Sequence, residues 1–529
     1  MSSQTNIQAQ IKFANELCSK SDYAGAIKLL YPLINNAKNI SREQQYQLYK
    51  SIGYNYYKLN DFSNAISAYE QTLSCHVNEA YIYNMLGYLY FYIDNDKSIE
   101  NYLKGMTLTP NLKNFVMLTQ IIIKSKKYEL KDIKNIFEKY VNVFRPVILK
   151  GDIPYKYNPK DYDINKKLKI GYMSSDFYCH AMMTFLLPVI EHHNKDNFDV
   201  VFYHCSKKTD YVTDRIKNLG YPFNDCSDMS YKELAEKIHS DGVDILVDLS
   251  GYTHDAIWTL LFKPAPIICQ YLGFLGTYGM KEVDYIIADE YTIPNNLAKY
   301  YTEKPMYIES GMNRFGFNTR KQNLPDITPL PCLKNGYITF GSFNDTSKLN
   351  TFSIKLWANV LKAVPNSKLL IYRTQLQQRD IDRITKLFNS YEIDMNRVIF
   401  DSTPTVGSHF KCYDFCDIAL DPSPFSGLTI TIEQAFMGVP TITLDYHTIS
   451  AKGSGRINHM LGQDNLTAKT ENEYIQIAKD LAQDIEKLKW YRKNYRQIIS
   501  NSKLCTDYDT YVSDIESAYR KAWSDFCKG

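Results

Sequence analysis

Chemistry is concentrated in Ser426-Gly427-Leu428-Thr429-Ile430-Thr431-Ile432-Glu433, which follows a short apolar run ending at Leu420-Asp421. A small residue and hydroxyls at a helix start leave backbone N–H groups free, and such groups make a seat for a diphosphate. Glu433, about two turns further on, would reach a ribose hydroxyl. The same residues also suit an ordinary helix N-terminus with a buried carboxylate, and their spacing does not separate the two readings. Neither Gly-x-Gly-x-x-Gly nor Gly-x-x-x-x-Gly-Lys-Ser/Thr follows a predicted first strand, which argues against dinucleotide oxidoreductases and P-loop enzymes. Cys412-x-x-x-Cys416 is the closest thiol pair. No Cys/His set at zinc spacing accompanies it, so two buried thiols are expected.

The elements that must carry these residues alternate from Lys167 onward. Predicted strands lie at 168–172, 198–204, 243–249, 266–271 and 283–288, with helices at 182–190 and 231–239. A Pro-rich stretch, 324–334, reads as a linker. The rhythm then restarts with strands at 337–340, 368–372, 397–400, 417–420 and 440–444 and helices at 354–364 and 430–437. The last sixty residues read as charged amphipathic helices. This is the pattern of two doubly wound parallel sheets, whose ligands sit at the carboxyl ends of the strands and in the cleft between the halves.

The first 110 residues have a different period. Gly53 and Gly87 lie 34 residues apart, the tetratricopeptide spacing, with a small residue where paired helices approach closest. Asp61-Phe62-Ser63-Asn64-Ala65-Ile66 begins a second helix, and related patterns begin at Asp22 and, one residue shorter, at Asn95. About three repeats are expected, the first with a longer loop between its helices. Such stacks suit an extended peptide or another protein, or they brace the next domain. The expected boundaries are repeats over 1–111, a helical connector over 112–166, an amino lobe over 167–323, a linker over 324–334 and a carboxyl lobe with terminal helices over 335–529.

Composition limits the classes. Lys plus Arg number 61 against 58 Asp plus Glu, a formal charge of +3, which excludes a globally basic nucleic-acid binder. No stretch approaches the ~18 apolar residues that span a bilayer, the start Met1-Ser2-Ser3 is polar, and the eleven cysteines are odd in number and scattered. A cytoplasmic protein with reduced thiols, no membrane span and no nucleic-acid partner is expected.

Several motifs occur in one order: Gly171-Tyr172-Met173-Ser174-Ser175-Asp176-Phe177-x-x-His180; Asp248-Leu249-Ser250-Gly251-Tyr252-Thr253; Gly273-Phe274-Leu275-Gly276-Thr277; Phe340-Gly341-Ser342-Phe343-Asn344-x-x-x-Lys348; and Leu420-Asp421 through Glu433. With the repeats before them, they make nearly the whole chain resemble the protein O-linked N-acetylglucosamine transferases and the SPINDLY-type protein O-fucosyltransferases. The resemblance implies an α/β GT-B fold of two Rossmann-like lobes, preceded by an all-α tetratricopeptide domain.

It also implies roles. His180 matches the histidine facing sugar and acceptor, as base or as orienting group. Lys348 matches the lysine on the diphosphate. His409 matches the histidine that packs on the base, and Glu433 the acid on the ribose. Thr429 with Ser426, Gly427, Ile430 and Thr431 matches the phosphate-binding helix start. Asp345 stands where an amide is usual, and Tyr252 and Thr253 lie where the amino lobe nears the sugar. Leu275, Leu428, Val406 and Cys412 depart from the family pattern. A metal-dependent transferase would want Asp-x-Asp at a strand end, whereas Asp161-Tyr162-Asp163 and Asp507-Tyr508-Asp509 sit outside the predicted sheets. Neither a metal nor any other cofactor is expected.

The expectation is an inverting transferase moving N-acetylglucosamine from UDP-GlcNAc to Ser or Thr hydroxyls of a protein acceptor held by the repeat groove. The form Gly427-x-Thr429-x-Thr431-x-Glu433 keeps GDP-fucose as second donor. Hexose transfer to asparagine is a further relative. A repeat scaffold with a degenerate transferase region is the rival class, and His180, Lys348 and His409 standing together argue against it.

Overall fold

A computed structural model describes residues 4–34, 41–75, 78–319 and 324–529 of the 529. The polar start at 1–3, His76 and the end of the expected amino lobe at 320–323 lie outside the described residues. The chain forms two compact units, Met1–Lys127 and Tyr128–Gly529.

The first unit is a stack of antiparallel helices: α1 (Gln4–Ser19), α2 (Tyr23–Ile34), α3 (Arg42–Lys58), α4 (Phe62–Ser74), α5 (Ala80–Tyr90), α6 (Asn95–Leu108) and α7 (Leu112–Ile122). Side chains start them where the sequence places polar residues. Asp61 caps the Asn64 amide of α4, Asp94 the Asp96 and Lys97 amides of α6, and Ser41 with Gln44 forms a capping box on α3. The repeat glycines are steric necessities: a Cβ on Gly53 would meet the Tyr69 ring at 3.1 Å, and one on Gly87 the Tyr102 ring at 2.8 Å. Only 20–22 separate α1 from α2, so the expected long loop inside the first repeat is not there. The surplus residues fall between repeats at 35–40, outside the described residues.

The second unit opens with α8 (Leu130–Leu149), whose Phe137 and Phe144 pack on Tyr252 and Trp258. The expected connector 112–166 is therefore divided, because α7 packs on α6 whereas α8 buries its apolar stripe on the amino lobe.

Two wholly parallel sheets follow. The amino sheet contains β1 (Leu168–Ser174), β2 (Phe198–His204), β3 (Phe223–Asp225), β4 (Ile245–Asp248), β5 (Ile267–Gln270), β6 (Tyr285–Ala288) and β7 (Lys304–Tyr307), in the order 3-2-1-4-5-6-7. The carboxyl sheet contains β8 (Ile338–Ser342), β9 (Ser367–Tyr372), β10 (Val398–Asp401), β11 (Ile418–Leu420), β12 (Thr441–Leu444) and β13 (Thr467–Ala468), in the order 10-9-8-11-12-13. Strands such as β4 are buried along their whole length, which is why they read as continuous apolar runs.

Strand order reverses between β1 and β4 and again between β8 and β11, the switch points at which such sheets bind ligands. Register sets the loops side by side there: Met173 lies beside Asp248, and Gly341 beside Ala419. The last helix, Tyr508–Lys528, follows the carboxyl lobe in sequence but packs on the amino lobe. It buries Tyr511, Ile515, Tyr519 and Trp523 there, and the Trp523 indole donates to the Asp163 carbonyl at 3.1 Å. Its apolar stripe fits the open face beside the helix Met183–Glu191, a destination that sequence order conceals.

Candidate active site

The loop after β11 is organised by Asp421. Its carboxylate is fully buried and accepts the Gly427 amide at 2.8 Å and the Thr443 hydroxyl at 2.8 Å. Burial pushes this carboxyl up to about 6 despite those hydrogen bonds and the nearby Lys348 charge. Ser426 donates its amide to the Ser450 carbonyl at 3.0 Å, and the Thr431 and Ser454 hydroxyls lie 2.6 Å apart. Ser426, Gly427 and the Thr431 hydroxyl thus build the loop from within. The resemblance groups them with the phosphate-binding helix start; in the structure the Ser426 amide, the Gly427 amide and the Thr431 hydroxyl are engaged by Ser450, Asp421 and Ser454.

What the loop presents is a helix start. Leu428 occupies the N-cap of the helix Thr429–Phe436 and its side chain makes no cap. Among the described residues, the amides of Thr429, Ile430 and Thr431 find no acceptor, while Thr429 and Ile430 are half-buried at the mouth. Three unpaired donors at the positive end of a helix are an anion seat.

Lys348 ends the 3-10 turn Thr346–Lys348 after β8. Its Nζ donates to the Ser426 carbonyl at 2.9 Å and lies 4.4 Å from the centre of the Phe425 ring, so an ammonium group reaches the loop after β11. Asp345 is exposed; it caps the Ser347 amide at 3.0 Å and lies 3.8 Å from Arg373.

Beside this seat opens a pocket of about 280 Å³, lined among others by Phe343, Tyr372, Arg373, His409, Tyr413 and Glu433. Glu433 is 3% exposed. It accepts the Tyr413 hydroxyl at 2.8 Å, and its other oxygen stands 3.2 Å from His409 Nε2. The His409 ring lies tilted beside Phe410 with centroids 4.1 Å apart and is partly exposed. A flat ring and a carboxylate at one wall suit a nucleoside.

On the amino lobe, His180 is exposed in the loop after β1, with Nδ1 accepting the Met182 amide at 3.4 Å and lying 3.9 Å from Asp176. Thr253 is exposed after β4. Tyr252 is a correction. Its ring is wholly buried among Phe137, Trp258, Phe274 and Tyr278, and its hydroxyl donates to the Tyr278 carbonyl at 2.5 Å, so it supports the loop from below. Asp248 repeats the role of Asp421. It too is buried, pushed up to about 6 by desolvation, and accepts the Gly251 amide at 2.8 Å and the Tyr278 hydroxyl at 2.7 Å.

Sequence reasoning missed Tyr413, the two loop-holding aspartates and Arg456. Arg456, on the helix Gly453–Met460, forms a buried ion pair with Asp289 at the end of β6 and donates to Asn313 at 2.6 Å, joining the lobes. A shared pattern was available for the aspartates, since Asp248 ends β4, Asp421 directly follows β11, and each precedes a Ser-Gly step: Ser250-Gly251 and Ser426-Gly427. Among the described residues, no helix is long and apolar enough to cross a membrane, and all eleven cysteines are unpaired.

Comparison with known proteins adds three findings. The family described as Glycosyl transferase family 41 matches residues 131–327 and 330–515. The protein named probable UDP-N-acetylglucosamine–peptide N-acetylglucosaminyltransferase SPINDLY from Hordeum vulgare is 33% identical over 383 residues, 70% of this chain and 40% of that protein. Its namesake from Solanum lycopersicum is 31% identical over 373 residues, 69% of this chain and 39% of that one. The chain thus spans about two fifths of the length of these curated relatives. The solved structure of a point mutant of Thermobaculum terrenum O-GlcNAc transferase superposes with a TM-score of 0.76 at 24% identity, covering 100% of this chain and 99% of that one, and so shares the fold.

Proposed function

Because the chain belongs to glycosyl transferase family 41, we propose that it is an inverting, metal-independent transferase that moves N-acetylglucosamine from UDP-GlcNAc to Ser or Thr hydroxyls of a protein. The observation that carries this reading is the meeting of Lys348 with the phosphate loop: an ammonium 2.9 Å from the Ser426 carbonyl, beside a helix start with three unpaired amides. Glycosyl transfer breaks the anomeric C–O bond through a cation-like transition state while charge grows on the departing diphosphate. Donors aimed at that charge stabilise the transition state more than the ground state, which is what accelerates the step.

In the reaction, the acceptor oxygen bonds to the anomeric carbon from the face opposite the diphosphate. The bonding pair of the broken C–O bond leaves with the diphosphate, where Lys348 and the amides of 429–431 receive it. The acceptor proton passes to a base, a role for which His180 has a suitable side chain; orienting the sugar is its other role. His409 packs on the base, and Glu433, held by Tyr413, takes the ribose. The repeats hold the protein acceptor. GDP-fucose is the second donor, favoured by the Gly427-x-Thr429-x-Thr431-x-Glu433 form of the helix start.

Thermal shift against UDP-GlcNAc, UDP, GDP-fucose and GDP identifies the donor, because a ligand that binds the folded state alone raises its melting temperature. Lys348→Ala is expected to reduce turnover of that donor by about 10²–10³-fold with an unchanged melting temperature. Wild-type turnover by this variant would refute the assignment.

A further inference from the structure

The reaction asks one ammonium to stand at a fixed point, yet a lysine head hangs on a flexible four-carbon stem. Two side chains with no role so far converge on it. The carbonyls of Thr346 and Leu349 flank Lys348, and both accept from Arg383 on the helix Gln378–Ser390: Nη2 reaches Thr346 at 3.0 Å and Nη1 reaches Leu349 at 2.5 Å. The fork grips the turn on each side of the lysine. Arg383 gains little from this position by itself. Its Nε is sealed from solvent without a partner, and burial holds its pKa below the usual guanidinium value, with Asp380 acting in the other direction. A desolvated guanidinium satisfied by backbone carbonyls is a costly way to close a turn.

The second side chain is Phe425. Its ring centre lies 4.4 Å from Lys348 Nζ, on the residue before the carbonyl that accepts from the same nitrogen. A cation over an aromatic face is attracted by the ring itself, so Phe425 restrains the ammonium in addition to the Ser426 carbonyl and the charge of the nearby Asp421 carboxyl. The two segments are stitched together as well. The Asn350 amide and the Ser353 hydroxyl both donate to the Ser423 carbonyl at 3.0 Å, fixing the lysine's turn to the loop that carries Phe425.

We propose that Arg383 and Phe425 are the positioning residues of Lys348, one fixing its backbone and the other its head, a reading that rests on the leaving-group role given to Lys348 above. The effect belongs to kcat, since a misplaced ammonium fails the transition state while the nucleoside pocket is untouched.

The test measures hydrolysis of whichever of UDP-GlcNAc or GDP-fucose the wild-type chain turns over, together with the dissociation constant of UDP or GDP. Arg383→Lys, which keeps the charge and loses the fork, and Phe425→Leu are each expected to lower kcat about tenfold or more while the nucleotide constant stays within about twofold. Phe425→Tyr keeps the ring and should restore at least about half of the rate. In a Lys348→Ala background the same changes should add nothing, because their effect runs through the missing ammonium. Rate losses that are as large without Lys348 as with it would overturn the inference, as would a weakened nucleotide constant at unchanged kcat. If Arg383→Lys does not fold, the Phe425 pair decides by the same criteria. A wild-type chain that turns over neither donor overturns the functional reading and this inference together, whereas additive losses in an active enzyme overturn the inference alone.

Discussion

Asp421 is the residue whose titration reports on the site. Burial raises its pKa from 3.8 to about 6, so between those values the folded chain holds a proton that the unfolded chain has released. Ionisation above pH 6 is therefore a penalty on the folded state, and lowering the pH from 7 to 5 relieves it. Asp421→Asn lacks this titration. The stability of the wild type relative to that variant, from urea melts, should rise by on the order of 1–3 kcal/mol as the pH falls from 7 to 5. A gap that ignores pH would mean an ordinary carboxylate there. Lys348, His409 and Glu433 are offered as candidates by the sequence because motif position and residue type agree, and the structure sets them around one pocket and helix start. Tyr413, Arg383 and the holding role of Asp421 could not, since each is defined by a partner from another stretch of chain. Tyr252 was misplaced for a related reason: a motif gives position along the chain, not the direction in which the ring points.

Among the elements, the helix Thr429–Phe436 and the loop before it carry most of the proposed chemistry. Gly427 is what lets that loop turn, because a Cβ there would stand 2.9 Å from Thr431 Oγ1 and 3.1 Å from Asp421 Oδ1. Gly427→Ala must push the Thr431 hydroxyl off Ser454 or displace the Asp421 contact, and either tilts the free amides. Titration calorimetry should show nucleotide binding weakened about tenfold, equivalent to about 1.4 kcal/mol. An unchanged constant would remove this loop from the diphosphate seat. Long strands and the repeat helices stood out in the sequence, since β2 lies at the predicted 198–204 and the 34-residue period carries its own steric explanation in Gly53 and Gly87. β3, β7 and β13 were missed because they are edge strands, short and only partly buried, so they lack the continuous apolar run that reveals equally short strands inside the sheets.

For the whole molecule, the division at Lys127/Tyr128 offers a clean cut. A chain beginning at Tyr128 keeps α8 on the amino lobe, and its donor hydrolysis should stay within about threefold while modification of protein acceptors falls more than about tenfold, if the repeats hold the acceptor. Equal losses in both assays would make the repeats a brace. The two sheets and the repeat stack followed from hydrophobic rhythm, but the path of the final helix did not, because rhythm names an element and not the surface it seeks. That path has a topological meaning: the amino lobe is finished by a helix that follows the carboxyl lobe in sequence, so the carboxyl lobe is in effect an insert spliced within it. Scission in the proline-rich stretch after β7 would not release two self-sufficient halves, since the front piece would lack its closing strap and the rear piece would carry a greasy ridge with nothing to lie against.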